Sequence, residues 1–150
     1  MTRPEAPTPE LEALFHDLIL DHYRRPRNKG ELAGATARGA VVNPTCGDEI
    51  AVEVVVDGDV VRAVRFTGRG CSISQASASM MTSAAAGRTR EELRDTADLF
   101  GAMLRGDTID ADLLGDLRAL GGVSRFPARV PCALMAWRAL EAAMARADGD

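Results

Sequence analysis

The chain has 150 residues, 46% of them apolar, and a formal net charge of -4. That length and apolar content build one domain around one core, and with no basic excess to displace counterions from phosphates, nucleic acid is a poor partner. No window approaches the roughly 20 apolar residues of a spanning helix, and the start M-T-R-P-E-A-P-T-P-E lacks the apolar stretch of a signal peptide, so the sequence reads as cytoplasmic and away from membranes. Of its 18 Lys and Arg residues only Lys29 is a lysine, and alanine is abundant. A GC-rich genome produces that bias by itself, so individual arginines carry little functional weight.

In chain order, residues 1–8 hold two prolines and read as a disordered leader, leaving 9–147 as a single domain. An amphipathic helix over about 10–24 carries Leu11, Leu14, Phe15, Leu18 and Tyr23 near helical spacing and ends at Pro26. The only two histidines, His16 and His22, lie on it. Six residues apart they are about 120° from one another around the axis, so they cannot share a metal, and both read as ordinary surface or half-buried side chains. A-R-G-A-V-V-N reads as a first strand and E-I-A-V-E-V-V-V as a second, with Ile50, Val52, Val54 and Val56 on one face. Asp57-Gly58 forms a hairpin turn into a third strand through Phe66. The fold class is α+β: a small three-stranded antiparallel sheet covered by helices.

Beyond T-G-R-G-C, a helix of small residues runs from Cys71 to Gly87, its C-terminal cap. Thr89 with Glu92 forms a capping box for a helix that buries Leu93, Phe100 and Leu104 and reaches about 105. A short helix over about 110–120 ends at Gly121-Gly122. The last long helix starts at Pro131, tolerated in a first turn, and its stripe includes Leu134, Trp137, Leu140 and Met144.

The chemistry-bearing residues are the three cysteines, Cys46, Cys71 and Cys132. A reducing compartment disfavours a disulfide framework, which moves metal or sulfur chemistry forward. Cys71 falls at a helix N-terminus, where unpaired N–H groups and the macrodipole stabilise a thiolate and make it a better nucleophile and metal ligand. Cys132 falls in the first turn of another helix. The sequence gaps, 46 to 71 and 71 to 132, match no paired C-x-x-C template, so the surroundings carry the argument. Three thiolates plus Asp48, two residues after Cys46, make a plausible four-ligand set for zinc, and iron-sulfur clusters also accept such donors. Arg129 either steers an anionic ligand toward Cys132 or faces solvent.

The motifs N-P-T-C-G-D, G-x-G-C-S-I-S-Q-A-S, R-x-x-C-A-L-x-x-W-x-x-L and D-H-Y-x-x-P-R-N-K-G resemble those of the SufU branch of the SufU/IscU/NifU N-terminal family, over about residues 12–145. The resemblance implies a role in iron-sulfur cluster assembly beside a SufS-type cysteine desulfurase and downstream assembly proteins or apo-acceptors. It implies a metal site of Cys46, Asp48, Cys71 and Cys132. IscU-type members carry a histidine immediately before the third cysteine; here that residue is Pro131, and the longer span from Cys71 to Cys132 and the position of Arg129 fit the SufU type. That favours zinc, with Cys46 accepting persulfide sulfur and Arg129 assisting, in the manner of a zinc-dependent sulfurtransferase. The alternative is a scaffold that assembles and transfers a [2Fe-2S] or [4Fe-4S] cluster on the same residues.

Overall fold

The computed structural model describes residues 9–44 and 47–147. The expected leader over 1–8 and one candidate site residue, Cys46, lie outside the described residues.

Helix α1 spans Pro9–Arg24, with Glu10 and Glu12 in its first turn and Arg24 in its last, charges that suit the helix dipole. Phe15, Leu18 and Ile19 face the core. Leu14 and Tyr23 are exposed. The buried stripe therefore follows 15, 18 and 22, and its last place is taken by His22, only 2% exposed, which corrects the reading of that residue as surface or half-buried.

Strands β1 (Ala37–Asn43), β2 (Asp48–Asp57) and β3 (Val60–Arg69) form an antiparallel meander. Ile50, Val52 and Val54 are buried as the alternation requires, and half-buried Val56 keeps to the same core face opposite Val61, because the bulge there leaves Arg62 of β3, not a β2 residue, without a partner. The sheet has four strands rather than three: β4 (Arg88–Thr89) pairs with Val60 and Val61. Two residues are too few to show a period-2 pattern, which is why the strand is silent in the sequence.

Helix α2 (Ser72–Ala85) follows β3, and α3 (Arg90–Leu104) opens on the expected capping box between Thr89 and Glu92 and buries Leu93, Phe100 and Leu104. The next segment, Ala111–Arg125, is 3-10 helix kinked at Gly115, and it runs on through Gly121 and Gly122. Its buried residues Leu114, Leu117, Leu120 and Val123 recur every three positions, which a helix of three residues per turn places on one face. A 3-10 turn, Pro127–Arg129, leads into α4 (Val130–Ala147).

Helices α2 and α4 cover one face of the sheet, and α1 packs outside α2. Residues 74–82 of α2 are all buried, because helices, sheet and the 3-10 segment surround it. Its small side chains permit that approach, and the hydroxyls find partners: Ser77 Oγ donates to Ala133 O at 2.6 Å and Thr82 Oγ1 to Ser79 O at 2.8 Å. The Ser77 bond ties the helix that begins after Cys71 to the turn that carries Cys132. Gly39 of β1 lets α4 lie directly on the sheet, since a Cβ there would collide with the backbone of Ala139 and Ala143. No described helix is long and apolar enough to cross a membrane.

Candidate metal and sulfur site

The site forms where the N-termini of α2 and α4 meet the start of β2. Asp48 is the first residue of β2, paired with Asn43 of β1, and Gly47 closes the link between the strands by donating its N–H to Asn43 O at 2.8 Å. Gly47 has φ 74°, a left-handed backbone that glycine adopts freely. Asp48 is 5% exposed, and its Oδ2 accepts the N–H of Cys71 at 3.3 Å. A buried carboxylate thus holds one of the orphan donors at the start of α2.

Cys71 is the N-cap of α2, in extended backbone, and makes no side-chain capping bond. The cap is built around it instead: Ser74 Oγ donates to Cys71 O at 3.1 Å and lies 3.9 Å from the thiol sulfur. Cys132, in the first turn of α4, is 2% exposed. The carboxylate of Asp48 and the sulfurs of Cys71 and Cys132 each offer a ligand atom within 4.8 Å of the others. Tetrahedral zinc with bonds of about 2.0–2.3 Å wants its ligand atoms roughly 3.5 Å apart, a distance small side-chain rotations reach from here. Two soft sulfurs and a carboxylate suit zinc, and the donor set fits the metal that the motifs imply.

The structure therefore brings together three of the four residues named as ligands from the sequence. Arg129 joins them. Its side chain is exposed, yet its guanidinium is held still more firmly protonated than usual, first by the charge of Cys71 and then by a hydrogen bond to Cys132. It engages the thiols rather than facing solvent alone. The histidines stay away from the thiols: His16 is exposed, and His22 bonds through Nδ1 to Ser79 Oγ at 2.7 Å. Ser79 stands eight residues beyond Cys71, about 12 Å along the helix.

Sequence reasoning missed two residues that shape the site, Gly70 and Ser74. A Cβ on Gly70 would sit 2.6 Å from Asp48 Cγ and 2.5 Å from Ser74 Oγ. Glycine is needed there so that the carboxylate can reach the Cys71 N–H. The signal was present as a glycine immediately before the cysteine and a hydroxyl three residues after it, but either also fits a bare strand exit and helix cap.

The chain is 46% identical over 140 residues to the Bacillus subtilis (strain 168) protein named zinc-dependent sulfurtransferase SufU, covering 93% of this chain and 95% of that one. It is 41% identical over 138 residues to the iron-sulfur cluster assembly scaffold protein IscU of Streptococcus pyogenes serotype M1, covering 91% and 86%. Among solved structures it resembles a protein of unassigned function with a TM-score of 0.82 at 42% identity, covering 87% of this chain and 96% of that one. Residues 14–148 match the family model of the NifU-like N terminal domain, and the chain belongs to that family.

Proposed function

We propose that this protein is a zinc-dependent sulfur acceptor, taking persulfide sulfur from a SufS-type cysteine desulfurase and passing it on for iron-sulfur cluster building. The observation that carries the reading is the convergence of Asp48, Cys71, Cys132 and Arg129 with Pro131, not histidine, before Cys132. The likeness to a relative named a zinc-dependent sulfurtransferase supports it.

Cys46, Asp48, Cys71 and Cys132 are the ligands in this reading. Zinc held there would keep the thiolates deprotonated and shielded from oxidation. The Cys46 thiolate attacks the outer sulfur of the donor persulfide; a new S–S bond forms on Cys46, the donor S–S bond breaks, and the donor leaves as a thiolate. The exchange is redox-neutral. Cys46 is the acceptor because it belongs by sequence to the link between β1 and β2, whereas Cys71 and Cys132 are set in helix N-termini. Asp48 holds the Cys71 N–H, and the Arg129 cation would steady the charge of the thiolates.

Incubation with desulfurase and cysteine, followed by mass spectrometry under non-reducing conditions, tests this: one added sulfur is expected on the Cys46 peptide and none in Cys46→Ala. Sulfur retained by Cys46→Ala overturns the assignment. The relatives named IscU scaffolds favour a second reading, cluster assembly on the same ligands. It predicts visible charge-transfer absorption after anaerobic reconstitution and transfer of the cluster to an apo-acceptor.

A further inference from the structure

The segment joining α1 to β1 contains the one lysine of an otherwise arginine-only cationic complement, and it is fastened more tightly than an exposed link requires. Arg27 N–H donates to Ser79 Oγ at 2.8 Å, and Asn28 Nδ2 donates at 3.2 Å to Thr82 Oγ1, whose single proton is shared between Ser79 O at 2.8 Å and Arg27 O at 3.2 Å. The backbone then adds to the edge of β3, with Phe66 N–H donating to Asn28 O at 3.0 Å and Gly30 N–H to Phe66 O at 2.8 Å. Asn28 has φ 57°, a left-handed conformation uncommon outside glycine. These bonds fix the backbone of Lys29, whose side chain is exposed.

Lys29 Nζ donates to Gln75 Oε1 at 3.2 Å and lies 5.8 Å from the centroid of the Phe66 ring. An ammonium has no acceptor, so it can face only the oxygen of the amide, which fixes the orientation of Gln75. Gln75 is 4% exposed, and its Nε2 is buried with no hydrogen-bond partner. Holding the lysine therefore leaves a donor orphaned, at a free-energy cost. The place so held is specific. Gln75 lies one turn beyond Cys71, to whose carbonyl its N–H donates at 3.1 Å, and side chains four apart share a helix face.

In a chain whose net charge is -4, three cations stand near the thiols. Arg129 interacts electrostatically with the thiols, Arg69 lies two residues before Cys71 with its side chain 81% exposed, and Lys29 bonds to Gln75 one turn along α2. Glu49 is engaged by Arg69 at 3.3 Å, and Asp48 is turned inward to the Cys71 N–H. The three cations come from three separate segments, the α1–β1 link, the end of β3 and the turn before α4. They match an acidic protein surface.

We propose that Lys29 is a docking cation, taking a surface carboxylate of the protein that delivers persulfide sulfur to the thiols, with Arg69 and Arg129 completing a basic rim. The proposal rests on the sulfur-acceptor reading and names the chemistry of the partner's contact face. The test uses the zinc-loaded full chain and the desulfurase. Binding is titrated directly, and desulfurase turnover is measured against acceptor concentration, for wild type, Lys29→Ala, Lys29→Glu and Lys29→Arg. Lys29→Ala is expected to raise Kd and KM about fivefold and Lys29→Glu about tenfold or more, with kcat and zinc content unchanged and Lys29→Arg within about twofold of wild type. Raising salt from about 50 to about 300 mM weakens wild type and narrows its gap from Lys29→Glu. A Lys29→Glu protein that binds as tightly as wild type overturns this proposal alone. A wild type that binds the desulfurase but gains no sulfur overturns the acceptor reading alone, and a wild type that does not bind it overturns both.

Discussion

Replacing Gly70 by alanine tests whether Asp48 belongs to a metal site. The backbone tolerates alanine, since Gly70 is not among the positive-φ glycines. The added methyl, however, would stand 2.5 Å from Ser74 Oγ, 2.6 Å from Asp48 Cγ and 2.9 Å from Asp48 Oδ1, so both side chains must move. Each gives up one hydrogen bond on the Cys71 cap, Ser74 Oγ to Cys71 O at 3.1 Å and Cys71 N–H to Asp48 Oδ2 at 3.3 Å. At about 1 kcal/mol apiece the perturbation is about 2 kcal/mol. Metal-free protein relieves most of it by letting the carboxylate swing outward, whereas the loaded site needs it inward. The cost therefore falls on affinity, about 30-fold. Competition with a chromophoric chelator measures this, beside the melting temperature of the metal-free protein. Zinc affinity within about twofold of wild type, with the fold intact, would refute the reasoning.

Other consequences follow from the packing and the charges. Gly39→Ala places a methyl against backbone of α4 that cannot rotate away, and should lower unfolding stability by about 3 kcal/mol or more, read from the urea midpoint; a loss below about 1 kcal/mol contradicts the described seat of α4 on β1. Burial holds the His22 imidazole below its ordinary value, outweighing the opposing pull of Asp116. The unfolded chain then binds a proton that the folded one refuses, so this contribution to stability is complete above about pH 6.5 and declines as pH falls below it. His22→Gln should flatten the slope of urea-unfolding stability between about pH 7 and 5, and an unchanged slope would show that His22 is not its source. Thr89→Ala removes the capping box of α3 and should cost about 1 kcal/mol, seen as a melting temperature lower by about 3 °C.

Much of this architecture was legible because local signals agreed with tertiary ones. The alternation of Ile50, Val52 and Val54, the Asp57-Gly58 turn, the Thr89 and Glu92 pair and Pro131 in a first turn each report one backbone state. The site was legible for a different reason: reduced thiols beside glycines and a carboxylate point to few chemistries. What escaped depended on contacts between segments far apart in sequence. His22 looks like any histidine on an amphipathic helix, and only the small residue Ser79, 57 positions away, creates its buried place. The three-residue recurrence from Leu114 to Val123 reads as a faulty α-helix until its partner surface is known. Gly70 needed Asp48, brought across the sheet, before its missing side chain acquired meaning.

The central claim is sulfur acceptance at Cys46, and alanine production by the cognate cysteine desulfurase measures it most directly. Zinc-loaded wild-type protein should raise the rate several-fold, and Cys46→Ala, loaded to the same zinc content, should leave it at the level of desulfurase alone. A rate unaffected by the wild-type protein, or raised equally by Cys46→Ala, would contradict the account.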